Sequence, residues 1–121
     1  SKVVILGLTF KENCPDTRNS KVNDIIKQLR VYGIEPTVVD PWASERDAMK
    51  EYGVELKTLA DAKDADCIIV AVAHNEFREM GLSKVKELFR DVSDDQKVLI
   101  DVKGLYKVDE LKTSGVRWWR L

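Results

Sequence analysis

The chain has one histidine, two cysteines and almost no excess charge of either sign, and each scarcity closes off a class of function. Twenty Lys and Arg stand against 21 Asp and Glu over 121 residues, a formal net charge of −1, so no global field draws the molecule to nucleic acid or a membrane surface. Any anion site has to be local. Cys14 falls in a polar stretch and Cys67 in a strand-like run, which is neither a disulfide framework nor a zinc pattern, and no cluster suggests a metal. The longest apolar run, residues 67–73, is far too short to span a bilayer, and the N-terminus lacks the regions of a signal peptide. Together these lead us to expect a cytoplasmic protein. Repeats, low-complexity stretches and linkers are missing too, as are two phosphate-binding motifs. Only Gly7 follows the first apolar run, so there is no G-x-G-x-x-G, and no Gly-Lys-Ser/Thr follows it.

What is present fits one domain: 44% hydrophobic and 34% charged residues build a real core but leave no room for a second domain. The chain begins at Ser1, without Met, and enters a strand at once, as expected of a domain cut from a longer protein. Residues 3–8 read as a strand covered on both faces. Val22, Ile25, Ile26 and Leu29 then fall at helical spacing, with Ser20 as N-cap and Gly33 as stop. A short strand over 36–39 precedes a helix opened by Ser44 and Asp47, with Ala48, Met49 and Tyr52 inside and Gly53 at its end. Brief strand character over 54–56, a short helix over 59–63 and a central strand over 67–72 follow. The remaining elements read as a helix over 83–90 carrying Val85, Leu88 and Phe89, a strand over 98–102 and an edge strand over 116–119. This βα alternation predicts an α/β fold, a Rossmann-like doubly wound parallel sheet between two helical layers, with ligands at the carboxyl ends of the strands.

The polar residues just past each strand are therefore the candidates. Lys11 follows strand one in a long loop that also holds Arg18 and leads to a helix N-terminus, an arrangement suited to phosphate. Asp40 stands near where a dinucleotide fold places its ribose acid, but with no G-x-G-x-x-G after strand one the reading that it shapes the turn with Pro41 is preferred. His74, the only histidine, sits at a strand end and invites a general-base role. A turn or capping role is the commoner use, and no Ser or Cys is paired with it. Cys14 lies near the cations that lower a thiol pKa, but no base accompanies it. Lys103, before Gly104, either points over the sheet edge into the crevice or is a solvated strand-end lysine. Trp118 and Trp119 face opposite sides of their strand and read as core or edge packing, with cover of a neighbouring domain as the alternative for one of them.

Five segments in order cover the chain: Gly-Leu-Thr-Phe-Lys at 7–11, Asp-Thr-Arg-Asn-Ser at 16–20, Val-Asp-Pro-Trp at 39–42, Ala-Val-Ala-His at 71–74 and Asp-Val-Lys-Gly at 101–104. Together they resemble the C-terminal, UDP-binding domain of the UDP-glucose/GDP-mannose dehydrogenase family. Within it they look most like the branch that oxidises UDP-N-acetylglucosamine or UDP-N-acetylgalactosamine, since Lys103 stands where UDP-glucose enzymes tend to have an arginine. The resemblance implies that residues 1–121 are a single UDP-sugar-binding domain, with the NAD-binding N-terminal domain and the central dimerisation region outside it. It also implies an oxidation of the sugar C6 alcohol to the uronate with NAD, in a homodimer or larger homo-oligomer that supplies surface polysaccharide. Phe10, Lys11 and Lys103 would contact the UDP-sugar, and Arg18 would reach the NAD bound by the other domain. No catalytic residue is expected in this chain, so alone it should be inactive and bind its ligands weakly. The rival expectation is a non-catalytic Rossmann-like module for nucleotide binding or assembly. A response-receiver reading lacks the acidic pair after strand one.

Overall fold

A computed structural model describes residues 2–9, 13 and 21–120. Among these, five parallel strands form one sheet: β1 (Val3–Leu6), β2 (Thr37–Val39), β3 (Cys67–Val70), β4 (Val98–Asp101) and β5 (Arg117–Arg120), in the order β2-β1-β3-β4-β5. Four helices connect them: α1 (Val22–Val31), α2 (Glu45–Tyr52), α3 (Asn75–Lys86) and α4 (Val108–Ser114). The expected α/β architecture is what forms. The apolar strand residues have to be covered on both faces, and strand alternation divides them. Val4, Leu6, Ile68, Val70 and Leu99 pack with Phe77 and Val85 of α3 and Leu111 of α4. Ile5, Val38 and Ile69 pack on the other face with Val22 and Ile26 of α1 and Ala48 of α2.

Several elements depart from expectation. The strand ends are shorter than their apolar runs, because the last residues of each run turn into loops at the carboxyl edge. The predicted strand over 54–56 is only a single bridge, Val38 to Leu56, and the predicted helix over 59–63 is one 3-10 turn, Ala60–Ala62. The Ser20 cap lies outside the described residues, whereas Ser44 does cap α2, its hydroxyl accepting from the Asp47 N–H. Met49, predicted on the inner side of α2, is 50% exposed, since a single buried position, Ala48, is enough to seat this short helix. Helix α3 starts at Asn75, eight residues before the predicted helix, and is interrupted at Gly81, whose φ of 72° and ψ of 165° break the helical pattern. Helix α4 was not predicted at all, for it is one short segment with one buried apolar residue, Leu111. Trp118 packs against the α3/α4 core while Trp119 on the opposite face is 54% exposed, as alternation requires.

In this strand order the chain steps from β1 to β2 on one side and places β3 on the other. The loops after β1 and β3 therefore diverge and leave a crevice between them, where open α/β sheets take ligands.

Candidate functional site

The carboxyl edge of the sheet is held together by two buried acids. Asp101, the last residue of β4, is fully buried, and its two oxygens accept the N–H groups of Leu105 and Tyr106, closing the loop that carries Lys103 and Gly104. Asp40, just past β2, does the same for two loops at once. Its Oδ2 accepts from Leu8 N–H at 2.6 Å and Thr9 N–H at 3.0 Å, past the end of β1, and its Oδ1 accepts from Trp42 N–H at 2.7 Å and Ala43 N–H at 2.9 Å. Burial alone would raise the Asp40 carboxyl, but the His74 contact and the Leu8 and Thr9 donors outweigh it and hold the group below its ordinary value.

His74, at the start of α3, completes this arrangement. Its side chain is wholly buried, its ring lying 6.3 Å from Trp42 and 5.7 Å from Phe77, centroid to centroid. Nε2 lies 2.9 Å from Asp40 Oδ2 and 3.0 Å from Thr9 Oγ1, and Nδ1 accepts the backbone N–H of Asn13 at 2.8 Å. A backbone amide can only donate, so Nδ1 carries no hydrogen here and Nε2–H faces the carboxylate. Both ring nitrogens are engaged within the protein, which suits a structural role and leaves neither for a substrate proton.

On the α1 side of the same edge lies a cavity of about 200 Å³ lined by Thr9, Lys21, Val22, Ile25, Ala71, Val72, Val102 and Lys103. Its lining is apolar apart from Thr9 and two lysines, Lys21 and Lys103. The volume is below the roughly 300–1,000 Å³ of complete small-molecule pockets. Of the predicted site residues, Lys103 lines this cavity, while Phe10, Lys11 and Arg18 lie outside the described residues. Lys21 was not anticipated, because it reads as an ordinary first-turn lysine until the sheet order brings α1 beside the end of β4. A larger groove of about 750 Å³ runs along α3 between Glu76 and Leu88. Its Glu76, Glu79 and Glu87 alternate with Lys63 and Lys84, so it offers no coherent field for an anion, and we assign the site to the strand ends.

Two other chemistries fit poorly. Burial, and then the charge of Asp66, push the Cys67 thiol up to about 11, so it is no thiolate nucleophile at neutral pH; Cys14 lies outside the described residues. Among the described residues a resident dinucleotide finds no cradle either. Gly7 is filled by its approach to Val72 rather than open to a pyrophosphate, and every Asp40 oxygen is occupied by internal donors, leaving none for a ribose hydroxyl. Among the described residues no helix is long and apolar enough to cross a membrane, and no cluster of His, Cys, Asp and Glu could hold a metal ion.

Residues 4–108 match the model of the UDP-glucose/GDP-mannose dehydrogenase family, UDP binding domain. The chain is 45% identical over 114 residues to a UDP-N-acetyl-D-glucosamine 6-dehydrogenase of Pseudomonas aeruginosa, covering 94% of this chain and 26% of the relative. It is 40% identical over 119 residues to Protein CapL of Staphylococcus aureus, covering 98% and 27%. Among solved structures, an NDP-N-acetyl-D-galactosaminuronic acid dehydrogenase of Methanosarcina mazei shares the fold with a TM-score of 0.81 at 23% identity, over 99% of this chain and 24% of that one. The chain thus spans about a quarter of the length of the curated relatives it matches.

Proposed function

Because this chain belongs to the UDP-glucose/GDP-mannose dehydrogenase family through its UDP-binding domain, we propose that it forms the nucleotide-sugar wall of an NAD-dependent UDP-sugar 6-dehydrogenase. The observation that carries this reading is the cavity at the carboxyl ends of β1, β3 and β4. Its apolar lining of Val22, Ile25, Ala71 and Val72 suits the face of a uracil, and Lys21 and Lys103 supply positive charge for a diphosphate. Phe10 and Lys11, which follow Thr9 in sequence, belong to the same proposal as contacts to the sugar nucleotide, and Arg18 as a contact to NAD held elsewhere in the parent protein. The substrate is a UDP-N-acetylhexosamine, whose C6 alcohol is oxidised to the uronate for polysaccharide synthesis in the cytoplasm by a homo-oligomeric enzyme. When bound, NAD accepts the hydride; this chain's part is to bind, orient and exclude water from the sugar nucleotide. The sequence has no G-x-G-x-x-G motif, and in this reading the parent's own NAD-binding and dimerisation regions complete the cleft.

The test is NADH formation by the parent polypeptide given UDP-N-acetylglucosamine, UDP-N-acetylgalactosamine, UDP-N-acetylmannosamine and UDP-glucose in turn. Turnover with an N-acetylhexosamine substrate supports the reading. A folded, NAD-binding protein that turns over none of the four refutes it and favours the non-catalytic module. In the same assay Lys103→Ala should raise the KM for the sugar nucleotide about tenfold, the effect of losing roughly 1.4 kcal/mol of charged contact. Lys103→Arg should keep most of the affinity, and an unchanged KM in the alanine variant would remove Lys103 from the site.

A further inference from the structure

The last residue of β5 lies over the loop that carries Lys103. Arg120 pairs in register with Asp101 at the end of β4 and is exposed, yet its guanidinium rests against Gly104. An atom at the Cβ position of Gly104 would stand 2.9 Å from Arg120 Nη2, 3.2 Å from Nε and 3.4 Å from Cζ, so any side chain there would displace the guanidinium. Gly104 also has a φ of 68°, which lets the chain turn tightly just past Lys103. Lys103 lines the strand-end cavity, so one turn carries a cation on the cavity side and meets a second from β5. Neither is neutralised. Among the described residues the side chains of Lys103 and Arg120 meet no carboxylate and no hydrogen-bond acceptor, and the N–H groups of Lys103 and Gly104 have no acceptor either. Asp101, the acid in register with Arg120, is fully buried and gives its two oxygens to the N–H groups of Leu105 and Tyr106. The loop is closed from inside by that acid, and the turn itself keeps two cations and two backbone donors.

We propose that Arg120 binds the outer phosphate of the nucleotide sugar, as a second cation beside Lys103, and so makes the site selective for a nucleoside diphosphate over a monophosphate. This rests on the UDP-sugar reading of the neighbouring cavity. The order of the groups follows from the fold. The cavity takes the base, Lys103 stands on its lining, and Arg120 comes to Gly104 from the β5 side of the sheet. A nucleotide seated base-first meets Lys103 before Arg120, which gives the phosphate next to the nucleoside to the ammonium and the next one to the guanidinium. The two side chains suit those places. An ammonium on a flexible stem is a point charge, whereas a guanidinium presents two parallel N–H groups to one phosphate. Because the guanidinium already rests on the Gly104 backbone, less of its freedom is left to lose when the anion binds.

The test compares the affinities of the labelled chain for UDP and for UMP, read from the amide shifts of Ala71 and Val72 in the cavity, in wild type, Arg120→Ala and Arg120→Lys. Melting temperatures report the fold. Wild type should prefer UDP. Arg120→Ala should bind UDP about tenfold more weakly, the scale of one lost charge-assisted contact, and UMP as wild type does, at an unchanged melting temperature. Arg120→Lys keeps the charge and loses the fork, so it should lose about threefold for UDP and nothing for UMP. A merely structural residue would instead lower both affinities in step with the melting temperature. Unchanged UDP affinity in Arg120→Ala overturns the proposal and leaves the cavity reading standing, and an equal loss for UDP and UMP overturns it as well. Should Arg120→Ala not fold, Arg120→Lys decides: a loss confined to UDP supports the role and no loss contradicts it. If wild type binds UDP and UMP equally well at the cavity, Arg120 alone is refuted. If wild type binds neither at millimolar concentration, the nucleotide-sugar reading falls and the role of Arg120 with it.

Discussion

Asp40→Asn is expected to destabilise the domain by about 3 kcal/mol, the cost of leaving buried donors without an acceptor, and to lower its melting temperature by roughly 10 °C. The amide is almost isosteric with the carboxylate, so the loss is not one of packing. Five donors converge on the two oxygens of Asp40: Leu8, Thr9 and His74 on one, Trp42 and Ala43 on the other. Whichever way an asparagine turns, its NH2 faces at least two N–H donors in a buried place. The same carboxylate imposes a pH dependence. Its folded-state pKa lies below the unfolded one of about 3.9, so its contribution is present in full above that value and is lost as the pH falls through the lower folded value. Acid unfolding followed by circular dichroism should accordingly show a shallower acid limb in Asp40→Asn than in wild type. An equal melting temperature in the two proteins would mean that the buried carboxylate does not hold these loops.

Gly7→Ala should be at least as damaging, at about 4 kcal/mol, which approaches the whole stability of many domains and should appear as insoluble or partly unfolded protein. Gly7 has a φ of 106°, outside the range of L side chains, and an added Cβ would lie 2.6 Å from Val72 Cβ and 2.8 Å from Val72 N. The Cβ and backbone N of Val72 stand at the end of the central strand run, and no change of rotamer moves them away. Gly53→Ala is the internal control. It has a φ of 64° but nothing within 4 Å of the added methyl, so it should cost only about 1 kcal/mol. Chemical denaturation of the two variants separates a contact effect from a dihedral one, and equal losses would show that the approach of Gly7 to Val72 is not tight.

The same close approach explains how much of the site could be read beforehand. Long apolar runs at residues 3–8 and 67–72 read as buried strands, α1 carries its helical spacing and α2 its Ser44 cap and Gly53 stop, so the parallel sheet and the importance of its carboxyl edge followed from the amino acids. What escaped were elements defined by tertiary contact. The first turns of α3 carry one core residue, Phe77, before Gly81 breaks the pattern, and α4 has only Leu111. Met49 shares helical spacing with Ala48 and Tyr52, but the sheet accepts only Ala48 fully. Lys103 was legible because residues past a strand end are few. The pairing of Asp40 with His74 was not, although each drew notice alone, because it depends on β1 lying between β2 and β3. Val39 and Val70 both register with Leu6, so the residues that follow them meet across Leu8 and Thr9, and no local spacing encodes that meeting. Lys21 was missed for the same reason.

The measurement that bears most directly on the central claim is a titration of the isotopically labelled chain with UDP, following every backbone amide. The account predicts saturable shifts at Thr9, Lys21, Ala71, Val72 and Lys103 around the strand-end cavity, with little change at Glu79, Met80 and Glu87 in the α3 groove. Shifts confined to the α3 groove, or none at millimolar UDP, would contradict it.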